Sequence, residues 1–258
     1  MLNKNFNAYK SNVTIELAEP LDISTNLTYA EKHRLLSASA RQINISYNGR
    51  SVYSCTVPKD IFNPYGSIVP KRMVELILDE TVSVQARQVI DLGCGCGILG
   101  LASILKGCQQ VLFTDINPHV IALQEHPLLR QVDTVKVQDI LMNESDGSWD
   151  LIIACPPSQS TDQQVTTDNY ESGIFFNGDL ISRIIVDSSR VLKPGGELFL
   201  YVRLPQRNFL GCYTFIRHLN QHFDLNTMNI LDFATGKDFP YGDPETSALC
   251  FSIKKNAI

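Results

Sequence analysis

The sequence predicts an α/β protein with a doubly wound, mostly parallel sheet of seven strands. From residue 88 onward, short apolar runs alternate with segments of helical pattern, which is the order expected of βαβ units. The last two apolar runs, LNTMNILDF and TSALCFSIKK, have no helical segment between them and predict an antiparallel pair of strands at the C-terminal end. With 258 residues, the chain has room for one such domain and a small elaboration.

The first 80 residues predict a small N-terminal cap made of a helix and a β-hairpin. The segment TYAEKHRLLSASARQI has a helical pattern. INISYNGRSVYSCTV consists of two alternating runs joined by Asn48-Gly49, a strong hairpin-turn signal. A helix in VPKRMVELILDE follows, with Pro70 tolerated in its first turn. We therefore expect a cap over residues 1–80 and the main domain over residues 81–258.

Five strands of the main domain are predicted in RQVIDL, QVLFTD, TVKVQD, WDLIIAC and GELFLYVR. Helices fit between or after them at roughly 98–106, 118–126, 180–192 and 209–223. The third of these helices closes at KPGG, which stops a helix and turns the chain into the next strand.

Composition narrows the class of protein. The net charge is −5, and lysine and arginine are scattered, so no basic footprint for nucleic acid is visible and nucleic acid is not an expected partner. The N-terminus lacks a signal-peptide pattern and no apolar run is long enough to cross a bilayer, so we expect a cytoplasmic protein with no membrane partner. The seven cysteines predict reduced thiols.

The stretch VIDLGCGCGILGLA joins a predicted strand directly to a predicted helix through Gly93, Gly95 and Gly97. Glycines at alternate positions let the backbone turn sharply and let a ligand lie against main-chain N–H groups at a helix start. Tight strand-to-helix turns also use glycine without any ligand. Asp91 precedes the glycines, and a carboxylate there repels phosphate but can bind an ammonium group.

Acidic residues end the next two predicted strands. Asp115, at the end of QVLFTD, lies where a carboxylate can accept hydrogen bonds from both ribose hydroxyls of an adenosine group. An alternative role for Asp115 is the N-cap of the helix that starts at Pro118. Asp139 ends TVKVQD, again at the sheet edge where ligands of open α/β sheets bind.

These motifs, in this order, resemble the class I S-adenosylmethionine-dependent methyltransferases, over roughly residues 60–255. The resemblance implies a Rossmann-like methyltransferase fold and S-adenosylmethionine as the cofactor. It also implies that DLGCGCG surrounds the methionyl part, that Asp115 holds the ribose and that the QDI segment lies beside adenine. The cofactor-binding residues expected on this basis are Asp91, Gly93, Cys94, Gly95, Gly97, Asp115, Ile116, Asp139, Ile140 and Cys155.

The stretch LIIACPPSQS ends a predicted strand in two prolines, which cannot continue it. Its position resembles the NPPY motif of the subgroup that methylates planar amide or amino nitrogens. Two other segments, NYESGIFFNGDLISRII and DIFNPYGS, resemble the glutamine N5-methyltransferases of that subgroup. The expected catalytic residues are Cys155, Pro156, Pro157, Ser158 and Glu171, and the expected substrate contacts are Phe62, Asn63, Tyr65 and Tyr170. Packing of the cap, or a solvated lid at Tyr170 and Glu171, are the alternatives.

The departures from that motif bear on the acceptor. A thiol at position 155 is a weak acceptor where the subgroup has Asn, and Ser158 replaces an aromatic residue. We therefore expect in-line methyl transfer to a small metabolite, such as an amino acid or a biosynthetic intermediate. The alternatives are a protein glutamine or RNA N-methyltransferase, a lyase or cyclase that releases methylthioadenosine, and a non-catalytic binding subunit. A protein substrate is compatible with the sequence, and no metal is expected.

Overall fold

The computed structural model describes residues 11–21, 27–157, 159–160, 168, 170–173, 175–176, 179–205, 209–235 and 246–256. The N-terminal part contains strand β1 (Val13–Leu17), helix α1 (Tyr29–Ser37), strands β2 (Arg41–Tyr47) and β3 (Arg50–Val57), and helix α2 (Ile68–Leu78). The three strands form an antiparallel sheet in the order β1-β2-β3.

The predicted hairpin is confirmed. Strands β2 and β3 pair in antiparallel fashion, and their turn residues Asn48 and Gly49 have φ values of 51° and 73°. Asn and Gly are the residues that tolerate two successive positive φ angles, as such a turn requires. Helix α1 begins with a capping box, in which the Thr28 side chain accepts from the Glu31 N–H while the Glu31 carboxylate accepts from the Thr28 N–H.

The main sheet contains seven strands, in the order β11-β12-β10-β7-β4-β5-β6. The α-helices and strands that follow α2 are, in chain order, β4 (Gln88–Leu92), α3 (Ile98–Leu105), β5 (Gln110–Asp115), β6 (Thr134–Val137), β7 (Trp149–Ala154), β8 (Gln159–Ser160), β9 (Phe175–Phe176), α4 (Leu180–Val191), β10 (Leu192–Pro205), α5 (Phe209–His222), β11 (Phe223–Thr235) and β12 (Thr246–Lys255). Strands β8 and β9 pair separately with each other.

The predicted fold class is confirmed. Strands β4, β5, β6, β7 and β10 run parallel, whereas β12 runs antiparallel to both β10 and β11. One predicted helix differs in kind, because Pro118–Glu125 forms a 3₁₀ helix. No helix among the described residues combines the length and apolar character needed to cross a bilayer.

Two apolar layers cover the main sheet, one on each face. Alternate residues of each strand belong to opposite layers, as the two-residue period of a strand requires: Ile153 and Phe199 face one way, and Ile152 and Leu200 face the other. The first layer also contains buried residues of the three N-terminal strands, α2 and α3, and the second contains residues of α4 and α5. The boundary that we predict at residue 80 follows the end of α2 and stays a prediction.

Candidate functional site

The strand register brings the predicted site residues to one edge of the main sheet. Ala154, the last residue of β7, is the partner of both Leu92 on β4 and Leu200 on β10. Cys155 therefore follows at the same level as Gly93 on one side and Tyr201 on the other. Parallel strands end together at this edge, so one rim carries both the glycine loop and the segment after β7.

The glycine loop leaves open space on one side. Gly93 has a φ of +69°, and a Cβ added there would meet no atom of the described part of the chain within 4 Å. Its N–H and that of Cys94 donate to the Thr114 carbonyl at 2.8 Å and 3.0 Å. Gly97 differs, because its φ is +79° and a Cβ would lie 2.6 Å from Cδ2 of Leu123. Gly97 therefore serves packing, whereas Gly93 lets another molecule approach the backbone.

Asp115 is tied to the glycine loop by hydrogen bonds. Its Oδ2 accepts from the Gly95 N–H and its Oδ1 from the Asn117 N–H, both at 2.9 Å. Burial raises the pKa of the Asp115 carboxyl, and these N–H donors partly oppose the shift. The N-cap of the following 3₁₀ helix is Asn117, whose Oδ1 accepts from the His119 N–H. The alternative role of Asp115 as that N-cap is therefore wrong.

Asp91 is a second buried carboxyl beside the loop, with 1% of its surface exposed. Its Oδ2 accepts a 2.8 Å hydrogen bond from the Gly100 N–H at the start of α3. The pKa of Asp91 is raised to about 8. Burial is the main cause and the nearby Asp115 charge adds to it, whereas the hydrogen bond from Gly100 opposes the shift. A positively charged ligand would stabilise the ionised form of these two neighbouring carboxyls.

Asp139 and Ile140 follow β6 at the same edge. The Asp139 carboxylate forms an ion pair with Arg183 of α4, and both side chains are partly exposed. Ile140 is buried and has a φ of +49°, which is unusual for a β-branched residue. Such a strained backbone persists only where its surroundings enforce it. Ile116 is 39% exposed directly after Asp115, so an apolar side chain is available at this edge.

The residues after β7 form the other half of the rim. Cys155 packs against the first apolar layer, and its thiol has a pKa raised to about 12, mainly by burial and also by the Asp91 charge. Pro156 is buried and Pro157 half-buried. Tyr170 begins a 3₁₀ helix that ends at Gly173. Ser158 and the side chain of Glu171 lie outside the described residues.

The segment before α2 crosses the same edge. The ring of Phe62 stacks on His33 of α1, with 4.4 Å between centroids and 27° between planes. On the other side, a Cβ added at Gly173 would lie 2.4 Å from Cβ of Phe62, so Gly173 packs directly against the Phe62 side chain. Phe62 thereby joins α1 to the segment that follows the two prolines.

The side chains of Asn117 and Asn63 form hydrogen bonds with the backbone of the segment 60–66. Nδ2 of Asn117 donates a 3.0 Å hydrogen bond to the Asp60 carbonyl. Asn63 is fully buried; its Oδ1 accepts from the Tyr65 N–H at 2.9 Å, and no described residue accepts from its Nδ2. The contacts of His33, Asn117 and Arg183 had no signal in the sequence, because each joins segments far apart in the chain.

Helix α2 and strands β10, β11 and β12 line a small pocket with Val69, Arg72, Met73, Tyr201, Asp232, Ala248 and Cys250. No group of three or more His, Cys, Asp or Glu side chains suited to a metal ion occurs in the part of the chain that the structure describes.

Comparisons with known proteins agree with this geometry. The family model described as methyltransferase small domain matches residues 73–232, more than half of the chain. A relative from Methanocaldococcus jannaschii, named provisionally as a protein N5-glutamine methyltransferase, is 29% identical over 126 residues, which are 47% of this chain and 64% of that protein. The ribosomal RNA large subunit methyltransferase G of Streptomyces coelicolor is 34% identical over 120 residues, 44% of this chain and 28% of that protein.

The chain thus spans less than two thirds of the length of either relative. Among solved structures, P. horikoshii TYW2 in complex with MeSAdo aligns with a TM-score of 0.56 at 13% identity, covering 86% of this chain and 73% of that one. That similarity shows a shared fold. By the match of the family model, the chain belongs to the methyltransferase small domain family of class I S-adenosylmethionine-dependent methyltransferases.

Proposed function

We propose that this protein uses S-adenosylmethionine to methylate a planar amide nitrogen, the side chain of a glutamine in a protein. Family membership supports the S-adenosylmethionine-dependent methyl transfer. The observation that carries the acceptor is the contact between Phe62 and Gly173. It joins the two segments that resemble the glutamine N5-methyltransferases.

The site residues fit the cofactor. S-adenosylmethionine carries an ammonium and a sulfonium charge, and the raised pKa values of Asp91 and Asp115 mark a site where positive charge is stabilising. The open side of Gly93 gives the ligand access to the backbone. We propose Asp91 and the glycine loop for the methionyl part, Asp115 for the ribose, and Ile116, Asp139 and Ile140 for the adenine. Gly97 supports the loop through packing.

The bound cofactor supplies an already activated methyl group. The protein then has to hold the acceptor nitrogen in line with that methyl group and exclude water. We assign this positioning to Cys155, Pro156 and Pro157, with Ser158, Tyr170 and Glu171 as further candidates on the acceptor side. Cys155 is neutral at physiological pH because of its raised pKa, so it does not compete as a nucleophile.

The relatives favour a macromolecular acceptor over the small metabolite expected from the sequence. One is named for protein glutamine and the other for ribosomal RNA. RNA is therefore the second candidate acceptor, and the expectation that nucleic acid is not a partner has no support from these relatives. The protein acceptor is favoured because the two segments joined at Phe62 and Gly173 resemble the glutamine N5-methyltransferases.

A labelling experiment tests the proposal. The full chain is incubated with methyl-labelled S-adenosylmethionine alone, with a ribonuclease-treated protein extract, with protease-treated RNA and with protein-free metabolites. We expect label in the protein fraction, S-adenosylhomocysteine as the nucleoside product, and N5-methylglutamine after digestion of the labelled protein. The variant Lys254→Gln, an exposed change on β12, serves as the matched active control.

Each other result contradicts a defined part of the proposal. Label confined to RNA would replace the protein acceptor by a base, and label confined to metabolites would restore the small acceptor. Methylthioadenosine formed from the cofactor alone would overturn methyl transfer in favour of a lyase or cyclase.

A further inference from the structure

Two lysine side chains near the segment 60–66 are close enough for their charges to interact. Lys32 belongs to α1 and Lys71 to α2, and both are partly buried. Neither ammonium group forms an ion pair with a carboxylate of the described residues. Most other partly buried lysines and arginines among the described residues do form such pairs, so this local excess of positive charge is unusual for a protein with a net charge of −5.

The position of Lys32 is fixed by its neighbours. Its Nζ lies 5.6 Å from the centroid of the Tyr65 ring, within the range of a cation–π interaction. A Cβ added at the next residue, Gly66, would come within 2.4 Å of the same Nζ. The absence of a side chain at Gly66, whose φ is +75°, thus makes room for the ammonium group over the backbone.

The pKa of Lys71 reflects its burial and also the positive charge of Lys32. Burial lowers the pKa of Lys71, and the positive charge of Lys32 lowers it further. Glu16 of β1 opposes the shift from a distance without forming an ion pair. Two like charges that repel each other in a partly buried place are stabilised when an anion binds between them.

This pair lies at the acceptor side of the site. Tyr65 is three residues from Phe62, which packs on Gly173 after the two prolines. Asn63 adds a buried amide N–H₂ in the same segment, for which no described residue is an acceptor. Cations and an N–H donor are the groups that recognise a carboxylate.

We infer that Lys32, held over the Tyr65 ring, and the nearby Lys71 bind a carboxylate of the acceptor, an aspartate or glutamate side chain close to the methylated glutamine. The inference rests on the proposed function and names the acceptor as an acidic peptide. A polyanion such as RNA is held by many phosphate contacts. Two lysines on a chain of net charge −5 suit a single carboxylate better.

Binding of short fluorescent peptides tests the inference. Each peptide carries one glutamine, flanked by aspartate and glutamate, by serine, or by lysine, and fluorescence anisotropy is measured with S-adenosylhomocysteine present. We expect the acidic peptide to bind best, and its affinity to fall roughly tenfold or more in Lys32→Gln and in Lys71→Gln. The control Lys254→Gln should bind like the unmodified protein, and Lys32→Arg should retain most of the affinity. Thermal unfolding and S-adenosylhomocysteine affinity establish that each variant is folded.

The outcomes separate this inference from the proposed function. Equal binding of the acidic and serine peptides, or equal losses for both in the lysine variants, would overturn the carboxylate site even if the glutamine is methylated. Lysine-dependent binding of the acidic peptide without any methylation would support the site and reject the glutamine acceptor. If a single-stranded RNA oligonucleotide binds more tightly than the acidic peptide and depends on the same lysines, the occupant is a phosphate and the peptide is rejected.

Discussion

The backbone N–H of Gly95 donates a 2.9 Å hydrogen bond to Oδ2 of Asp115, which joins the glycine loop to the end of β5. The other carboxylate oxygen accepts from the Asn117 N–H, so the orientation of the group is fixed before any ligand binds. Fixed acceptors lose little entropy on binding, which favours recognition of a pair of hydroxyl groups.

Asp115→Asn separates the structural role of this residue from its role in binding. The Asn oxygen can still accept from one of the two N–H groups, so we expect only a small loss of stability. The ribose loses a charged acceptor, and the affinity for S-adenosylhomocysteine should fall by roughly tenfold to a hundredfold. Isothermal titration calorimetry measures the affinity. An unchanged affinity in a folded variant would remove Asp115 from the cofactor site.

Two glycines of the same region should respond differently to alanine. In Gly100→Ala the new Cβ lies 2.2 Å from Cε1 of buried Phe113, so we expect a loss of about 1–3 kcal/mol of unfolding free energy. In Gly93→Ala the Cβ meets no described atom, and the positive φ costs about 1 kcal/mol. Denaturant unfolding measures both. The affinity for S-adenosylhomocysteine should fall more in Gly93→Ala than in Gly100→Ala. A larger loss of this affinity in Gly100→Ala would contradict the proposal that the cofactor lies against Gly93.

The raised pKa of Asp91 gives the stability of the ligand-free protein a defined pH dependence. The carboxyl titrates near 4 in the unfolded chain and at about 8 in the folded protein. Folding therefore binds a proton between these values, and the contribution of Asp91 to stability is present below about pH 4 and lost as the pH rises through about 8.

Comparison with Asp91→Asn isolates this effect. Urea unfolding at about pH 5 and about pH 9 should show a smaller fall of unfolding free energy in the variant than in the unmodified protein. The Asn oxygen can keep the hydrogen bond from Gly100, so the fold should persist. Parallel pH profiles for the two proteins would show that Asp91 is not responsible.

Cys155 should be inert towards alkylation in the folded protein. With a pKa of about 12, only about one thiol in ten thousand is ionised at pH 8. Iodoacetamide treatment followed by mass spectrometry should leave Cys155 unmodified and methyl transfer unaffected. The same residue should react once urea unfolds the chain, which serves as the control. Rapid labelling with loss of activity would instead indicate a reactive thiolate.

Cys155→Asn should raise glutamine turnover. An Asn side chain offers a strong carbonyl acceptor to an amide N–H, whereas the thiol is a weak acceptor. We expect roughly a tenfold higher kcat with the same peptide, and an unchanged affinity for S-adenosylhomocysteine. Cys155→Ser provides the comparison. A loss of turnover in Cys155→Asn would indicate an acceptor other than an amide.

Local patterns were sufficient to predict the fold class. The apolar runs and the Asn48-Gly49 turn depend on neighbouring residues, and each produced the expected element. The 3₁₀ helix at Pro118–Glu125 was expected as an ordinary helix. Both kinds of helix accept Pro at the first position and Asn as the N-cap, so the pattern does not distinguish them.

Long-range packing explains what the sequence left open in the site. The glycine loop, Asp91 and Asp115 come together because adjacent parallel strands end at one edge, which the pattern predicts. The stacking of His33 on Phe62 joins residues from separate elements, and the ion pair of Arg183 with Asp139 joins α4 to the end of β6. Such pairs have no local signature, because any exposed partner of suitable chemistry would serve.

The shared apolar layer beneath the glycine loop has a consequence for protein engineering. Buried residues of β1, β2 and β3 pack in the same layer as Cys94 and Cys96 of the loop, and the Tyr53 hydroxyl donates to the Ile98 carbonyl at 2.7 Å. The N-terminal strands therefore cannot be exchanged for those of a relative without also repacking the buried residues beneath the glycine loop. New acceptor preferences are better sought through substitutions at Phe62, Tyr65 and Lys32, which do not belong to the buried residues of that layer.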